Sequence, residues 1–287
     1  MKVLVTGAEG QVGRLMCRLA PAGTEVAGRA RAQLDVGDEA AVRQCVAHLR
    51  PDVIINAAAF TAVDRAESEA ALAGRVNALG PGNLAVAAGE VGARLVHIST
   101  DFVFDGAAST PYLPGSPTNP LSVYGRTKLA GEESVQRILP GGSVVVRTAW
   151  VYAAEGRNFL HTMLRLMRER GAVRVVADQV GTPTAAGPLA AALWRIAASD
   201  LIGVHHWTDA GVASWYDFAV AIAEEAAALG LLEAAVNVTP ITTAEYPTPA
   251  RRPAYSVLDK GSLAGLGLVP DHWRRSLREV LGEIRRA

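Results

Sequence analysis

Thr100, Tyr124 and Lys128 have the types and spacing to exchange a proton with a carbonyl or alcohol oxygen. Tyr124 and Lys128 are four apart, so on a helix both side chains sit on one face, a turn apart. A free phenol titrates near pH ~10 and is a poor acid or base at neutrality. A nearby ammonium favours the phenolate, so the spacing predicts that Lys128 lowers the pKa of Tyr124 towards the operating pH. Thr100 stands at the end of the apolar run 95–98 and can offer a hydroxyl to the same oxygen. The pattern is short, and its plain alternative is a solvated lysine beside a packed tyrosine. Composition sharpens it: the chain has three lysines, Lys2, Lys128 and Lys260, against twenty-five arginines.

Positioning these groups needs a scaffold, and the N-terminus supplies its signature. Residues 2–6 read as a short buried strand, and 11–20 carry apolar residues at helical spacing. Between them runs Gly7-Ala8-Glu9-Gly10-Gln11-Val12-Gly13. Gly7 permits a tight turn, Gly10 lets backbone approach a pyrophosphate, and Gly13 allows close helix–strand packing. The helix start at Gln11 and Val12 offers free N–H groups and a positive dipole end to phosphates. Strand, glycine turn and helix together point to dinucleotide binding.

The second strand is expected over 25–27. No acidic residue stands at its end to take a ribose 2′-hydroxyl; Gly28-Arg29-Ala30-Arg31 stands there instead. Two guanidinium groups, Arg29 and Arg31, suit a 2′-phosphate and favour NADPH over NADH, unless they merely face solvent. Asp35 could accept from the adenine amino group with Val36 against the ring. Asp35 could equally cap a helix over 39–49, although Asp38 is placed for that. A strand over 52–55 ends in Asn56-Ala57-Ala58-Ala59, small residues that let a cofactor lie close to backbone. A helix over 68–88 and a strand over 93–98 continue the alternation. Thr100 thereby falls at a strand's carboxyl end, where open α/β sheets bind ligands.

The helix bearing Tyr124 and Lys128 runs from about 121 to 138, followed by a strand over 143–147 and Trp150. The rhythm then loosens: helix 158–170, strand 173–177, loop 178–184, helix 187–198, strand 203–207, helix 214–229 capped by Ser214 and a last helix from 273 to 284. The stretch 237–257 is rich in Thr and Pro and carries Arg251-Arg252, a candidate grip for a diphosphate. The expected fold is α/β, a Rossmann-type doubly wound parallel sheet with a smaller C-terminal substrate lobe. Residues 1–150 form the NADP(H)-binding domain and 151–287 mainly the lobe, with segments returning to the sheet.

Bulk properties exclude other classes. Lys plus Arg equals Asp plus Glu, 28 each, so no nucleic-acid footprint is expected. Cys17 and Cys45 lack metal or disulfide spacing and fit a reducing cytosol. No signal peptide is expected, since only Val3-Leu4-Val5 is apolar before Thr6-Gly7. No membrane partner is expected either: the Ala-rich run 185–198 is interrupted by Gly187, Pro188 and Arg195. His205 and His206 on a strand point to opposite faces, and none of the six histidines has metal-ligand spacing.

The three glycines, Ser99-Thr100-Asp101 and Tyr124-x-x-x-Lys128 resemble the extended short-chain dehydrogenase/reductase superfamily. More narrowly, further runs resemble the dTDP-4-dehydrorhamnose reductase family across nearly the whole chain. They are Gly10-Gln11-Val12-Gly13, 56–64, 99–106, Tyr124-Gly125-x-Thr127-Lys128-Leu129-Ala130-Gly131-Glu132, Arg147-Thr148-x-Trp150-Val151-Tyr152 and Asp178-Gln179-x-Gly181-x-Pro183-Thr184. The resemblance implies a cytosolic, NADPH- or NADH-dependent reduction of the C4 ketone of dTDP-4-dehydro-L-rhamnose to dTDP-L-rhamnose. It implies Tyr124 as proton donor, Lys128 as its electrostatic partner and ribose ligand, and Thr100 as the tuning hydroxyl. Ala59, Phe60, Thr61, Asp35 and Val36 then touch the cofactor, and Asp101 and Trp150 the sugar nucleotide. Some members are reported to use magnesium at a subunit interface, but no spacing here assigns ligands; a homodimer is an assembly the resemblance allows. Phe102 departs from the family's frequent Tyr and loses a hydroxyl contact. The enzymatic alternative is another nucleotide-sugar reductase, an epimerase or a dehydratase of the same superfamily; Phe102 stands where related dehydratases carry a Glu for elimination, which counts against dehydration. A third alternative is a non-catalytic subunit similar to the regulatory β subunit of methionine adenosyltransferase, against which the retention of Thr100, Tyr124 and Lys128 argues.

Overall fold

In β1 (Lys2–Thr6), Val3 and Val5 face one side of a sheet and Leu4 the other, all fully buried. Such an unalternating apolar run belongs to a strand covered on both faces. The computed structural model describes residues 1–233 and 236–287 and sets this strand in a six-stranded sheet in which every pair is parallel.

From β1 the chain runs through α1 (Gln11–Arg18) to β2 (Glu25–Arg29) and through α2 (Glu39–Leu49) to β3 (Val53–Asn56). Next come α3 (Val63–Ser68), α4 (Ala70–Gly74), α5 (Gly80–Val91), β4 (Arg94–Thr100), α6 (Val123–Ile138) and β5 (Ser143–Thr148). Then follow β6 (Val151–Tyr152), α7 (Phe159–Arg170), β7 (Ala172–Val176), β8 (Val180–Gly181), β9 (Thr184–Ala185) and α8 (Ala186–Ala197). β10 (Gly203–His206) adds a sixth strand beside β5, and β11 (Ala213–Ser214), α9 (Trp215–Ala228), β12 (Asn237–Ile241) and α10 (Trp273–Arg286) finish the chain.

The strand order is β2-β1-β3-β4-β5-β10. The chain steps out from β1 to β2 and returns to the other side of β1 for β3. That reversal leaves a crevice at the carboxyl ends of β1 and β3, the usual ligand site of such sheets. Val5, Ile55, Val96 and Val146 pack against α1 and α8 on one face; Leu4, Ile54, Leu95 and Val145 pack against α2 and α5 on the other. A second core lies among α7, α9, α10 and β7, built on Leu160, Phe218, Ile222 and Leu277. There β7 and β12 pair in parallel.

Three local expectations are corrected. The helix expected over 68–88 starts earlier and is broken: α3 ends at Ser68, and a π-helical turn, Arg75–Leu79, separates α4 from α5. Pro81 explains the π turn, because it has no N–H for the Asn77 carbonyl and its ring would clash there. Arg29 lies within β2 instead of the turn after it. The loop expected over 178–184 contains the short strands β8 and β9.

Candidate active site

The site begins with glycines at the end of β1. Gly7 has φ +66°, and a Cβ there would lie 2.7 Å from the backbone of Ala57 and Ala58; a Cβ on Gly13 would lie 2.1 Å from the Gly7 carbonyl oxygen. Only glycine allows the β1 turn, the β3 turn and α1 to approach this closely. Gly10 caps α1 with backbone alone, so the helix's first N–H groups stay open to an anion.

A cleft of about 210 Å³ opens beside this turn, lined by Gly7, Gly10, Arg31, Asp35, Val36, Ala59 and Phe60 among others. A second cavity of about 370 Å³ shares Gly10 with it and adds Gln11 and Thr61. Together they flank the open N-terminus of α1, which fits an extended dinucleotide. Val12 packs against the core instead, and Arg29 turns away, donating to its neighbour's carbonyl at Gly28 (2.9 Å). Asp35 does not cap α2; Asp38 does, accepting from the Ala41 amide at 3.0 Å. Partial burial works against the Asp35 charge, but the Gly37 amide and the Arg75 guanidinium (2.7 Å) outweigh it and hold the carboxyl below its usual range.

β4 delivers Thr100, and Asp101 opens a 3-10 turn, Asp101–Val103. The Thr100 hydroxyl donates to Asp101 Oδ1 (3.0 Å) and accepts from the Phe102 amide (3.2 Å). Burial pushes the Asp101 carboxyl up to about 6, with hydrogen bonds from Ser256 and Thr100 restraining the rise. α6 carries Tyr124 and Lys128 on its buried face. Its first turn is held by Ser122, which accepts from the Gly125 amide (3.1 Å), and by Glu67, which accepts from the Val123 amide (2.8 Å).

The electrostatics differ from the expected tyrosine–lysine pair. Burial pushes the Tyr124 phenol up to about 12; the Thr100 hydroxyl, within hydrogen-bonding reach, pulls it down and the Asp101 charge pushes it further up. Lys128 is turned to the sheet, where its Nζ donates to the Ile98 carbonyl at 2.6 Å. Burial brings the Lys128 ammonium down to about 8, with Glu132 opposing. Tyr124 is therefore a fully protonated phenol at neutrality. Behind Lys128, Glu132 pairs with Arg147 at 2.7 Å, both buried, and accepts from the Ser99 hydroxyl.

Sequence reading missed Asn77. Its Oδ1 accepts from the Phe60 amide (2.8 Å), and its Nδ2 donates to the Phe60 carbonyl (3.1 Å) and the Thr127 hydroxyl (3.2 Å). It thus ties the Ala59–Thr61 turn to α6. A single Asn between Val76 and Ala78, three residues before Gly80-Pro81, was the available signal. Tyr124 packs with Phe60 and Val63, and the Phe102 ring stands edge-on to it at 5.4 Å.

A third cavity, about 780 Å³, opens between α7, β7 and β12. Trp215, Gln179, Asp64, Thr248 and Arg252 are on its wall. Trp150 stacks on Trp215 with ring centroids 3.6 Å apart, and a Cβ on Gly181 would lie 2.7 Å from the Trp150 ring. The indole thus requires a residue without a side chain at that position. Arg251 is exposed and off this wall, whereas Arg252 lines it. Among the described residues no three His, Cys, Asp or Glu side chains gather to hold a metal ion. Among the described residues no helix is long and apolar enough to cross a membrane.

Comparison with known proteins places these features in a family. The family model described as the RmlD substrate binding domain matches residues 1–286. The dTDP-4-dehydrorhamnose reductase of Burkholderia thailandensis is 45% identical over 96% of each chain. The crystal structure of a dTDP-4-dehydrorhamnose reductase from Clostridium acetobutylicum superimposes with a TM-score of 0.94 at 42% identity, covering 99% of this chain and 100% of that one. That of the Bacillus anthracis enzyme in complex with NADP gives 0.92 at 37% identity, covering 98% and 99%.

Proposed function

This chain belongs to the dTDP-4-dehydrorhamnose reductase family, and on that premise we propose how its own residues carry out the reaction. It is a nicotinamide-dependent oxidoreductase that reduces the C4 ketone of dTDP-4-dehydro-L-rhamnose to dTDP-L-rhamnose, the last step of dTDP-rhamnose synthesis. The observation that carries the assignment of roles is the buried group Thr100–Tyr124–Lys128 at the carboxyl end of β4, next to the glycine turn.

A nicotinamide cofactor held in the cleft would supply hydride to the ketone carbon. Tyr124 gives its phenolic proton to the oxygen of that ketone; an alkoxide is a stronger base than a phenolate, so the transfer runs downhill even from about 12. Thr100 hydrogen-bonds the same oxygen, and Asp101 orients the Thr100 hydroxyl. Lys128 would hold the cofactor ribose. Gly7, Gly10, Gln11 and the α1 N-terminus would hold its pyrophosphate, and Asp35, Val36, Ala59, Phe60 and Thr61 its remaining length. Arg31 on the cleft wall favours NADPH. The dTDP moiety occupies the 780 Å³ cavity, with Trp215 as its aromatic wall, Trp150 stacked on that indole, and Arg252 towards the diphosphate. Residues 1–150 form the cofactor domain and 151–287 most of the substrate lobe; the enzyme works in the cytosol.

One assay tests this reading. Purified protein mixed with dTDP-4-dehydro-L-rhamnose should consume NADPH in step with dTDP-L-rhamnose formation. Tight NADPH binding without turnover would instead indicate a non-catalytic subunit.

A further inference from the structure

Asp64 and Arg252 form a contact that crosses 188 residues of chain. Asp64 lies in the first turn of α3, three residues after Thr61. Its Oδ2 accepts from Arg252 Nη2 at 2.8 Å, and its Oδ1 accepts from Arg252 Nη1 at 3.1 Å and from the Ala250 amide at 3.2 Å. Arg252 also donates to the Thr248 hydroxyl and to the Ala250 carbonyl. One carboxylate thus organises the 248–252 segment, and Asp64, Thr248 and Arg252 all face the 780 Å³ cavity.

A carboxylate on the wall of a cavity meant for a doubly charged diphosphate needs a reason. By Coulomb's law alone it should repel the ligand, and its removal should tighten binding. The geometry argues otherwise. The two parallel bonds fix the plane of the guanidinium, which a single bond or a point charge does not. Partial burial raises the Asp64 carboxyl, but Arg252 and the Ala250 amide outweigh this and hold it below its usual range, so it stays charged and committed to this pair. Arg252 has five N–H donors, and Asp64, Thr248 and Ala250 engage only its Nη1 and Nη2 groups.

We propose that Asp64 is a positioning residue for substrate recognition: it holds Arg252 and the 248–252 segment in the orientation that receives the diphosphate of the dTDP-sugar. This rests on the reading of the cavity as the dTDP-sugar site. The consequence is a sign opposite to that of simple electrostatics, because removing a negative charge weakens the binding of an anion.

The test measures dTDP and thymidine binding by calorimetry, with NADP present at saturation. Asp64→Asn should weaken dTDP by about tenfold, the worth of a charge-assisted pair, and leave thymidine and NADP affinity unchanged. Arg252→Lys keeps the charge but loses the two parallel bonds, and should give the same loss. In an Arg252→Ala background, Asp64→Asn should have no further effect on dTDP. In turnover, KM for the sugar nucleotide should rise with kcat unchanged. Unchanged or tighter dTDP binding to Asp64→Asn, or losses that add fully in the double variant, overturns the proposal. Failure of the unsubstituted protein to bind dTDP overturns the reading of the cavity itself, which is a different result.

Discussion

Asn77 holds both backbone polar groups of Phe60 with one side-chain amide, its Oδ1 on the N–H and its Nδ2 on the carbonyl. The π-helical turn before Pro81 carries this side chain, and Thr127 of α6 receives its second N–H. The turn expected against the cofactor is therefore fixed from the helix that carries Tyr124. Asn77→Ala strips partners from a part-buried amide and carbonyl, which costs about 1–3 kcal/mol. Thermal unfolding should show that loss, and NADPH titration should show weaker binding. If stability falls while NADPH affinity holds, the clamp is structural only.

Tyr124→Phe removes one hydroxyl from a residue already packed against Phe60 and Phe102. Fold and NADPH affinity should persist, while kcat falls by roughly 10²–10⁴, the usual worth of a positioned acid. Near-normal turnover in that variant would place the proton donor elsewhere.

Lys128 is brought to about 8 by burial, from an ordinary value of 10.5. The ammonium is the donating form and exists below that pKa. NADPH affinity of the free enzyme should therefore be flat below pH about 8 and fall as pH rises through it. Fluorescence titration across that range reads the effect directly. A profile that stays flat up to the ordinary lysine range would mean that Lys128 does not contribute a charge to the cofactor.

Arg31 lines the cleft and Arg29 does not. Arg31→Ala should weaken NADPH roughly tenfold more than NADH, because only NADPH has a 2′-phosphate to lose a charge-assisted bond. Arg29→Ala should leave the ratio of the two affinities unchanged. Parallel KM measurements with both cofactors decide it, and an equal effect of Arg31→Ala on both would remove the arginine from selectivity.

Much of this was legible in the order of residues, for a physical reason. The alternation of apolar strands and amphipathic helices is written in local periodicity, and the start of α2 follows from a nearby cap, Asp38. The glycine turn and the four-residue tyrosine–lysine spacing are local too, as is the position of Thr100 at a strand end. What tertiary structure alone decided depends on residues far apart in sequence. Burial raises Tyr124 and lowers Lys128, and the Ile98 carbonyl, thirty residues away, takes the ammonium that was expected to tune the phenol. Between two adjacent arginines, Arg252 faces the cavity because Asp64, from the other end of the chain, is there to hold it. Nothing local distinguishes Arg251 from Arg252; the tertiary contact with Asp64 does.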